Sequence, residues 1–391
     1  MLLSNYATKT EIRDRENKTV DGFWPVGIDY GFSAVKGFSP NKIFCFPNCA
    51  VPVDSFASLV DPSSEDIYLR DKNGMWIIGA KAHELIKSGE AMNYEPELYG
   101  RNRYFSPSFR AVMKAGLGIA LIGNTVKKYQ NEPIVVQTGL PHEYKSTDTD
   151  LLMDTLEGTY DFDLRVGTKP FQHFHFVIER KNIMRLMDQP MGSLFSAITD
   201  DNGEQGALGR KVLTSDTLVF DPGFKTFDTY EVASGKFRSS NTYDTLGMHE
   251  VFQRTVRDLR KKYNADLSVL GMQDLLRKGY VVSLTREMGR IKTYRKSFDD
   301  ELEKNTKDVC MEAIQKVLSV YNYLQYHDYL IVTGGTGNAW FSIIEDYFRD
   351  MENLTILSAN RNDTTLSNTY SNARGYYFFL IGMLQRRKNG R

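Results

Sequence analysis

Residues 219–228 read VFDPGFKTFD, an apolar strand that ends on Asp221, turns at Gly223 and resumes as a second apolar strand. A carboxylate at such a turn can hold a hydrated metal ion, and the glycine lets backbone N–H groups approach a phosphate. The same order occurs in VGIDYGFSAVKGF at residues 26–38, where the acid is Asp29. One such turn is typical of an ordinary hairpin, but two of them predict two similar half-molecules that share a phosphate site.

A third candidate phosphate site lies late in the chain. Residues 328–333 have the composition of a buried strand, which runs into GGTGN at residues 334–338, and we expect a helix from Ala339 to about Arg349. A strand, a glycine-rich loop and a helix in this order are typical of nucleotide sites, because free backbone amides at a helix start attract anions.

The composition, 41% hydrophobic and 25% charged, is that of a soluble globular protein and limits the classes of partner. The 391 residues include 49 basic and 49 acidic side chains, so no overall field attracts nucleic acid or an anionic membrane. We expect no membrane contact, because no run of about 18 apolar residues is present. The three cysteines, Cys45, Cys49 and Cys310, are expected to be buried thiols in a reducing cytoplasm.

Pattern changes along the chain predict four parts. Residues 1–21 form an N-terminal extension with no clear apolar period. Residues 22–216 form a first lobe with a small insertion at about 40–105, and residues 217–368 form a second lobe with a helical insertion at about 264–300. Residues 369–391 form a C-terminal helix that packs back on the first lobe.

Five ordered motifs resemble one known family. They are GIDYGFSAVK at 27–36, FPN at 46–48, WIIGAKA at 76–82, TGLP at 138–141 and NARGY at 372–376. Together they resemble the bacterial and archaeal actin-like proteins of the actin, Hsp70 and sugar-kinase superfamily. The similarity is greatest to the plasmid-segregation group that includes ParM and Alp7A, and it covers about residues 24–385.

The resemblance implies a two-lobed α/β actin-like ATPase fold, made of duplicated ribonuclease H-like domains around a nucleotide cleft. It also implies that the protein hydrolyses ATP or GTP with Mg²⁺ and assembles head-to-tail into filaments. Such filaments move DNA through a DNA-bound adaptor protein, so direct contact with nucleic acid is not expected.

The resemblance also assigns roles to residues. Asp29 and Asp221 fall on the metal-binding acids, which act through water and take part in catalysis, and Gln189 falls on the residue that orients the attacking water. The remaining predicted positions bind the nucleotide: the phosphates contact Gly31, Phe32, Ser33 and Lys36 from the first lobe and Gly223, Phe224 and Lys225 from the second, while Gly334, Gly335 and Thr336 face the adenosine.

Two positions depart from the family pattern. Phe32 stands where actin has a serine, and Phe224 replaces the usual second glycine, which can adopt a positive φ. The second loop is therefore expected to differ in shape, and Lys225 either contacts phosphate or is solvated.

Three other functions within the superfamily are open. One is a small-molecule kinase, although no acid aimed at a substrate hydroxyl can be identified. Another is a filament scaffold with negligible turnover. A chaperone-like ATPase is not expected, because no peptide-binding domain follows the second lobe.

Overall fold

The computed structural model describes residues 3–15, 22–55, 62–86, 97–123 and 132–388. Its strands are β1 (Glu11–Asp14), β2 (Trp24–Tyr30), β3 (Ala34–Phe38), β4 (Lys42–Pro47), β5 (Ala50–Val53), β6 (Ile67–Asp71), β7 (Gly74–Ile78), β8 (Ile134–Gln137), β9 (Gly139–Leu140), β10 (Gly158–Val166), β11 (Gln172–Ile178), β12 (Met187–Asp188), β13 (Thr217–Pro222), β14 (Phe227–Ala233), β15 (Lys236–Tyr243), β16 (Val281–Glu287), β17 (Arg290–Lys296), β18 (Tyr329–Val332) and β19 (Thr355–Ser358). Its α-helices are α1 (Ala80–Leu85), α2 (Pro107–Leu121), α3 (Lys145–Leu156), α4 (Gln189–Ile198), α5 (Ala207–Thr214), α6 (Met248–Tyr263), α7 (Met272–Lys278), α8 (Asp299–Val320), α9 (Gly334–Tyr347) and α10 (Ser371–Lys388).

The central sheet of the first lobe has the strand order β1-β4-β3-β2-β8. Strands β2, β3 and β4 form an antiparallel meander, and β2 pairs in parallel with β8. Every residue of β2 is buried, because helices cover both faces of the sheet: α2 lies on one face and α10 on the other. This is the α/β arrangement that the apolar strands predict.

The central sheet of the second lobe repeats this topology with the order β15-β14-β13-β18-β19. Strand β13 pairs antiparallel with β14 and parallel with β18, as β2 pairs with β3 and β8. The registers also correspond, since Asp29 lies opposite Lys36 and Asp221 lies opposite Asp228. The duplication inferred from the two turns is therefore present in the strand pairing, and the predicted fold class is confirmed.

A second sheet of the first lobe has the order β11-β10-β6-β7-β5. It packs against α2, where a Cβ on Gly118 would lie 2.8 Å from the side chain of Leu164. Strand β4 belongs to the central sheet, so the inserted strands start at β5 rather than at residue 40. They pair with β10, which comes some ninety residues later in the chain.

The expected helical insertion at 264–300 is wrong in its secondary structure. Only α7 is helical there, and β16 and β17 form an antiparallel hairpin. The turn consists of Met288 and Gly289, both with positive φ (49° and 77°), which is the backbone shape of a two-residue hairpin turn. The apolar residues Val281, Leu284, Met288 and Ile291 are spaced by three and four, which favours a helix, so no alternating pattern marks these strands.

Helix α10 packs closely against both α4 and β2. Glycines make this approach possible: a Cβ on Gly375 would lie 1.7 Å from the carbonyl oxygen of Gly192, and a Cβ on Gly27 would lie 2.5 Å from the Tyr377 nitrogen. The neighbouring Arg374 is fully buried and donates to the carbonyl oxygens of Ser196 and Thr199. The crossing of α4 and α10 therefore ties the lobes together behind the cleft.

The described part of the N-terminal extension is ordered against both lobes. Tyr6 is buried in the core of the second lobe, and β1 pairs antiparallel with β4 at the edge of the first-lobe sheet. Residues 3–15 of the predicted N-terminal extension thus make fixed contacts, while residues 16–21 lie outside the described residues. Cys45, Cys49 and Cys310 are buried free thiols, as expected. Within the described ranges, no helix has both the length and the apolar character needed to cross a bilayer.

Candidate functional site

A cavity of about 520 Å³ lies between the two central sheets, where β2 and β13 end. Both Asp-x-Gly turns open into it, as does the start of α9. Of the predicted site residues, the following line this cavity: Asp29, Gly31, Phe32, Ser33, Lys36, Gln189, Asp221, Gly223, Phe224, Gly334, Gly335 and Thr336. The tertiary structure thus brings together segments that are up to about three hundred residues apart.

The first-lobe turn is built around an ion pair. Lys36 lies opposite Asp29 on β3, and its Nζ donates to Asp29 Oδ2 at 3.2 Å. Burial alone would lower the pKa of Lys36, but the nearby Asp29 outweighs it and the pKa is raised, so the side chain is an ammonium at neutral pH. A Cβ on Gly31 would lie 2.6 Å from this Nζ and 2.9 Å from the Ala34 carbonyl oxygen, so a larger residue would displace the lysine or the turn backbone.

Gln189 is the first residue of α4, and its side-chain amide reaches the same aspartate. Its Nε2 donates to Asp29 Oδ1 at 3.1 Å across 160 residues of sequence. Asp29 therefore has one oxygen bound by Lys36 and the other bound by Gln189. This arrangement fixes the amide at the edge of the cavity, beside the acid that the family pattern assigns to the metal.

The second-lobe turn carries a different set of charges. Asp221 is buried, and burial raises its pKa to about 6. A hydrogen bond from Asn372 lowers this pKa but does not cancel the effect of burial. The residue opposite on β14 is Asp228, where the first lobe has a lysine. Burial raises the pKa of Asp228 to about 8, and its oxygens accept hydrogen bonds from Thr226 (2.7 Å) and Thr242 (2.5 Å).

The donors in the cavity fit a hydrated divalent cation. Asp221 makes no ion pair with any described residue, and the nearby Asp29 raises its pKa further, so the buried negative charge lacks a full counter-charge. No cluster of three or more His, Cys, Asp and Glu side chains that could enclose a metal occurs among the described residues. Two carboxylates with water as the remaining ligands suit Mg²⁺, which keeps several waters when bound by proteins.

Phe224 does not require the backbone shape of the glycine that it replaces. Neither Gly223 nor Phe224 has a positive φ, and the turn is closed by Gly223 N, which donates to Thr226 O at 2.8 Å. The phenyl ring packs against Tyr99 from the first lobe, with a ring-centroid distance of 5.2 Å. The Phe224 side chain therefore forms a contact between the lobes, and this turn differs from a glycine-rich phosphate loop.

Lys225 is placed differently from both expectations. Its Nζ donates to the Tyr99 carbonyl oxygen at 2.6 Å and lies 5.3 Å from the centre of the Phe32 ring. It is not among the residues that line the cavity, and it is not solvated as a free side chain, because the turn between β13 and β14 places it against the first lobe. Burial accordingly lowers the pKa of Lys225. The prediction that Lys225 holds phosphate is not supported by this geometry.

The glycine-rich segment is helical, which corrects the predicted loop. Helix α9 begins at Gly334, so Gly334, Gly335 and Thr336 form its first turn and its free N–H groups face the cleft. Gly334 has φ +77°, and a Cβ there would lie 2.8 Å from Asp221 Oδ1. Thr336 donates to Gly223 O at 2.7 Å, which ties the helix start to the second turn.

Sequence reasoning missed two parts of the site. Asn372 donates to Asp221 Oδ2 at 3.1 Å and accepts from Ser193 Oγ at 2.6 Å, although the motif NARGY was noted only for its resemblance. Residues 5–11 also line the cavity, and Thr8 N donates to Gln273 Oε1 at 2.9 Å. The spacing of Leu3 and Tyr6 was the available sign that this segment packs against something.

Comparison with known proteins gives a consistent picture. Residues 27–192 match the family described as actin-like proteins N-terminal domain. A structure of a non-polymerisable quadruple mutant of pCBH ParM is 17% identical and covers 92% of this chain and 99% of its own, with a TM-score of 0.68. Ta0583, an archaeal actin homologue in complex with ADP, is 14% identical over 92% of this chain and 99% of its own, with a TM-score of 0.61. An Alp12 filament structure is 14% identical over 93% of this chain and 99% of its own, with a TM-score of 0.57. No curated protein matches the chain in sequence.

The class of protein follows from these findings together with the duplicated sheets and the shared cleft. The chain has the two-lobed actin-like fold, and residues 27–192 are similar to the actin-like N-terminal domain. The resemblance to ParM and Alp7A predicted from the motifs is confirmed. At identities of this size the structural similarity establishes the fold, so activity has to be argued from the site.

Proposed function

We propose that the protein hydrolyses ATP or GTP with Mg²⁺ in this cleft and couples hydrolysis to head-to-tail assembly into filaments. The observation that carries the proposal is the meeting of both Asp-x-Gly turns, Lys36 and Gln189 on one cavity between duplicated sheets. We assign residues 22–216 and 217–368 to the two lobes and residues 369–391 to the helix that completes the first.

The residues of the cleft supply what phosphoryl transfer to water needs, which is charge neutralisation and positioning. The Lys36 ammonium and the amides of Gly31, Phe32 and Ser33 would bind the phosphates, with Gly223 beside them, and the first turn of α9 would contact the nucleoside. Gln189 would orient the attacking water from its place beside Asp29. Mg²⁺ held through water by Asp29 and Asp221 would neutralise charge on the phosphates.

The partners are proposed from the relatives. Alp12 has been solved as a filament, and the ParM structure is of a non-polymerisable mutant, which supports self-association for a chain with the same fold. We propose that a DNA-bound adaptor connects such filaments to a plasmid or other replicon in the cytoplasm. The balanced charge of the chain agrees with an indirect link to DNA.

The test follows light scattering and phosphate release together after ATP or GTP is added with Mg²⁺ to the purified protein. We expect scattering to rise with one nucleotide at least, followed by phosphate release. Scattering without phosphate release would favour a filament scaffold over a hydrolase, and release without scattering would contradict assembly.

The variant Asp221→Ala tests the site itself. We expect it to abolish phosphate release while circular dichroism stays that of the unchanged protein, because the lost carboxylate is a buried charge rather than part of a packed core. Asp266→Ala, at an exposed position outside the cleft, is the matched control and should keep full turnover. Full turnover by Asp221→Ala would remove this residue from the mechanism.

A further inference from the structure

The hairpin β16–β17 (Val281–Lys296), called here the basic hairpin, carries an exposed face that the described part of the chain does not cover. Directly paired residues share a face, so Val282, Leu284 and Arg286 lie on the side of Arg295, Thr293 and Ile291. Val281 and Ser283 on the opposite side are buried, whereas Leu284 and Ile291 are 53% and 66% exposed. Apolar side chains in such a position indicate a binding surface.

The charge of the basic hairpin is strongly positive. Residues 281–296 contain five basic side chains and one acidic side chain. Arg286 lies on the exposed apolar face, and Arg290 lies beside the turn on the opposite face, across from Glu287. Neither arginine makes an ion pair with any described residue. These cations lie close to the apolar side chains of the hairpin, which suits a protein surface that is itself acidic and partly apolar.

A surface of the complementary kind lies elsewhere in the same lobe. Residues 320–326 and 345–352, called here the acidic patch, are adjacent in space, because Asn353 Nδ2 donates to the carbonyl oxygens of Gln325 and His327. Residues 345–352 contain four acidic side chains and one basic side chain. Tyr323 and Tyr326 are 68% and 70% exposed, so this surface is acidic and aromatic.

The turn that presents the tyrosines is strained. Asn322, Tyr323 and Leu324 all have positive φ, between 47° and 58°, which costs about 1–2 kcal/mol for each residue that is not glycine. Strain of this kind is retained where the backbone serves a function. Two acids of the patch, Glu345 and Asp350, make no ion pair with any described residue and are available to a partner.

The two surfaces lie at opposite ends of one helix. The basic hairpin ends at Lys296, three residues before α8 starts, and α8 ends at Val320 inside the acidic patch. A helix of 22 residues is about 33 Å long. A positive surface and a negative surface about 33 Å apart do not meet within one subunit, but they can join successive subunits head to tail, which gives an open filament where the rotation between subunits does not close a ring.

We propose that the basic hairpin of one subunit binds the acidic patch of a second copy of this chain. The contact rests on the proposed filament function and names the surfaces that would carry it. The arginines pair with Glu345 and Asp350, and the apolar side chains of the hairpin pack on the exposed tyrosines. Charge pairing at the rim sets the register and speeds association, so assembly weakens as salt rises.

Charge reversal on each surface and on both together tests this pairing. We expect Arg286→Glu with Arg290→Glu to raise the critical concentration for assembly at least about tenfold, and Glu345→Arg with Asp350→Arg to do the same. All four substitutions in one chain reverse the charges on both sides of the proposed pairing between the arginines and the acids, and should restore assembly to near the level of the unchanged protein. Lys304→Glu with Lys307→Glu, at exposed positions within α8, is the control and should assemble normally.

The possible results distinguish failure of this contact from failure of the proposed filament function. If the unchanged protein does not assemble with any nucleotide, the proposed function fails. If it assembles and the hairpin variant does so equally well, only the contact is overturned. Failure of the fourfold variant to assemble, while it binds nucleotide normally, would overturn the pairing and assign the hairpin to another surface. Normal assembly by the hairpin variant together with loss of binding to a DNA duplex would assign it to nucleic acid.

Discussion

The buried Asp228 should make the stability of the protein depend on pH in a direction unusual for an acid. Its folded pKa of about 8 lies above the value of 3.8 for a solvated aspartate, because burial penalises the charged form. The folded state therefore binds more protons than the unfolded state between these two values. The contribution of Asp228 to the free energy of unfolding is therefore fully present below about pH 4 and is lost as the pH rises toward 8.

The size of the effect follows from the shift. One pKa unit corresponds to about 1.4 kcal/mol, so between pH 5 and 7.5 the loss should be about 3 kcal/mol. Asp228→Asn cannot ionise, and its amide can still bond to Thr226 and Thr242 after their hydroxyl groups rotate. The variant should therefore be increasingly more stable than the unchanged protein as pH rises, with a difference that grows by about 1.4 kcal/mol per pH unit.

Urea unfolding followed by circular dichroism, from pH 5 to 8 with EDTA and without nucleotide, measures this difference. Asp266→Asn, at an exposed position, is the matched control and should follow the unchanged protein at every pH. Asp221 remains in both proteins, and its charge is one of the causes that raise the pKa of Asp228, so the measured difference includes the interaction between these two carboxyl groups. Parallel stability curves for the unchanged protein and Asp228→Asn would refute the reasoning.

Three further changes test the cleft and its support. Gln189→Ala should slow phosphate release about tenfold or more and lengthen filament lifetime, while nucleotide affinity stays the same, because the amide acts on the attacking water. An unchanged hydrolysis rate would exclude Gln189 from the hydrolysis mechanism. Gly334→Ala should weaken nucleotide binding about tenfold, as measured by calorimetry, because the φ of +77° and the contact with Asp221 would force the start of α9 to move. Gly206→Ala, where the added Cβ would meet nothing within 4 Å, is the control and should leave nucleotide binding unchanged. Gly375→Ala should lower the free energy of unfolding by about 3 kcal/mol, because its Cβ would meet the Gly192 carbonyl. Gly382→Ala in the same helix, with nothing within 4 Å of the added Cβ, is the control and should be neutral or slightly stabilising. Equal effects of the two substitutions would contradict the close packing.

Much of the fold was predictable because its signals are local. A strand that ends on an acid before a glycine turn has the same meaning wherever it occurs, so Asp29 and Asp221 marked two equivalent sheets. The hairpin at 281–296 is not predictable in this way, because its mixed and charged sequence lacks a strand alternation and its apolar residues are spaced as in a helix. The first turn of α9 was taken as a loop because three glycines oppose helix formation in isolation.

The amino-acid sequence by itself determined the duplicated sheets, the two acids at their strand ends and the lysine opposite the first acid, since these depend on neighbours within about ten residues. Only the tertiary structure decided that Gln189 and Lys36 hold one aspartate, that Asn372 reaches the other, and that Lys225 turns away from the cavity. It also decided that residues 5–11 line the cleft. These contacts join segments more than a hundred residues apart in most cases, and their geometry depends on how the helices and sheets pack, which no local pattern specifies.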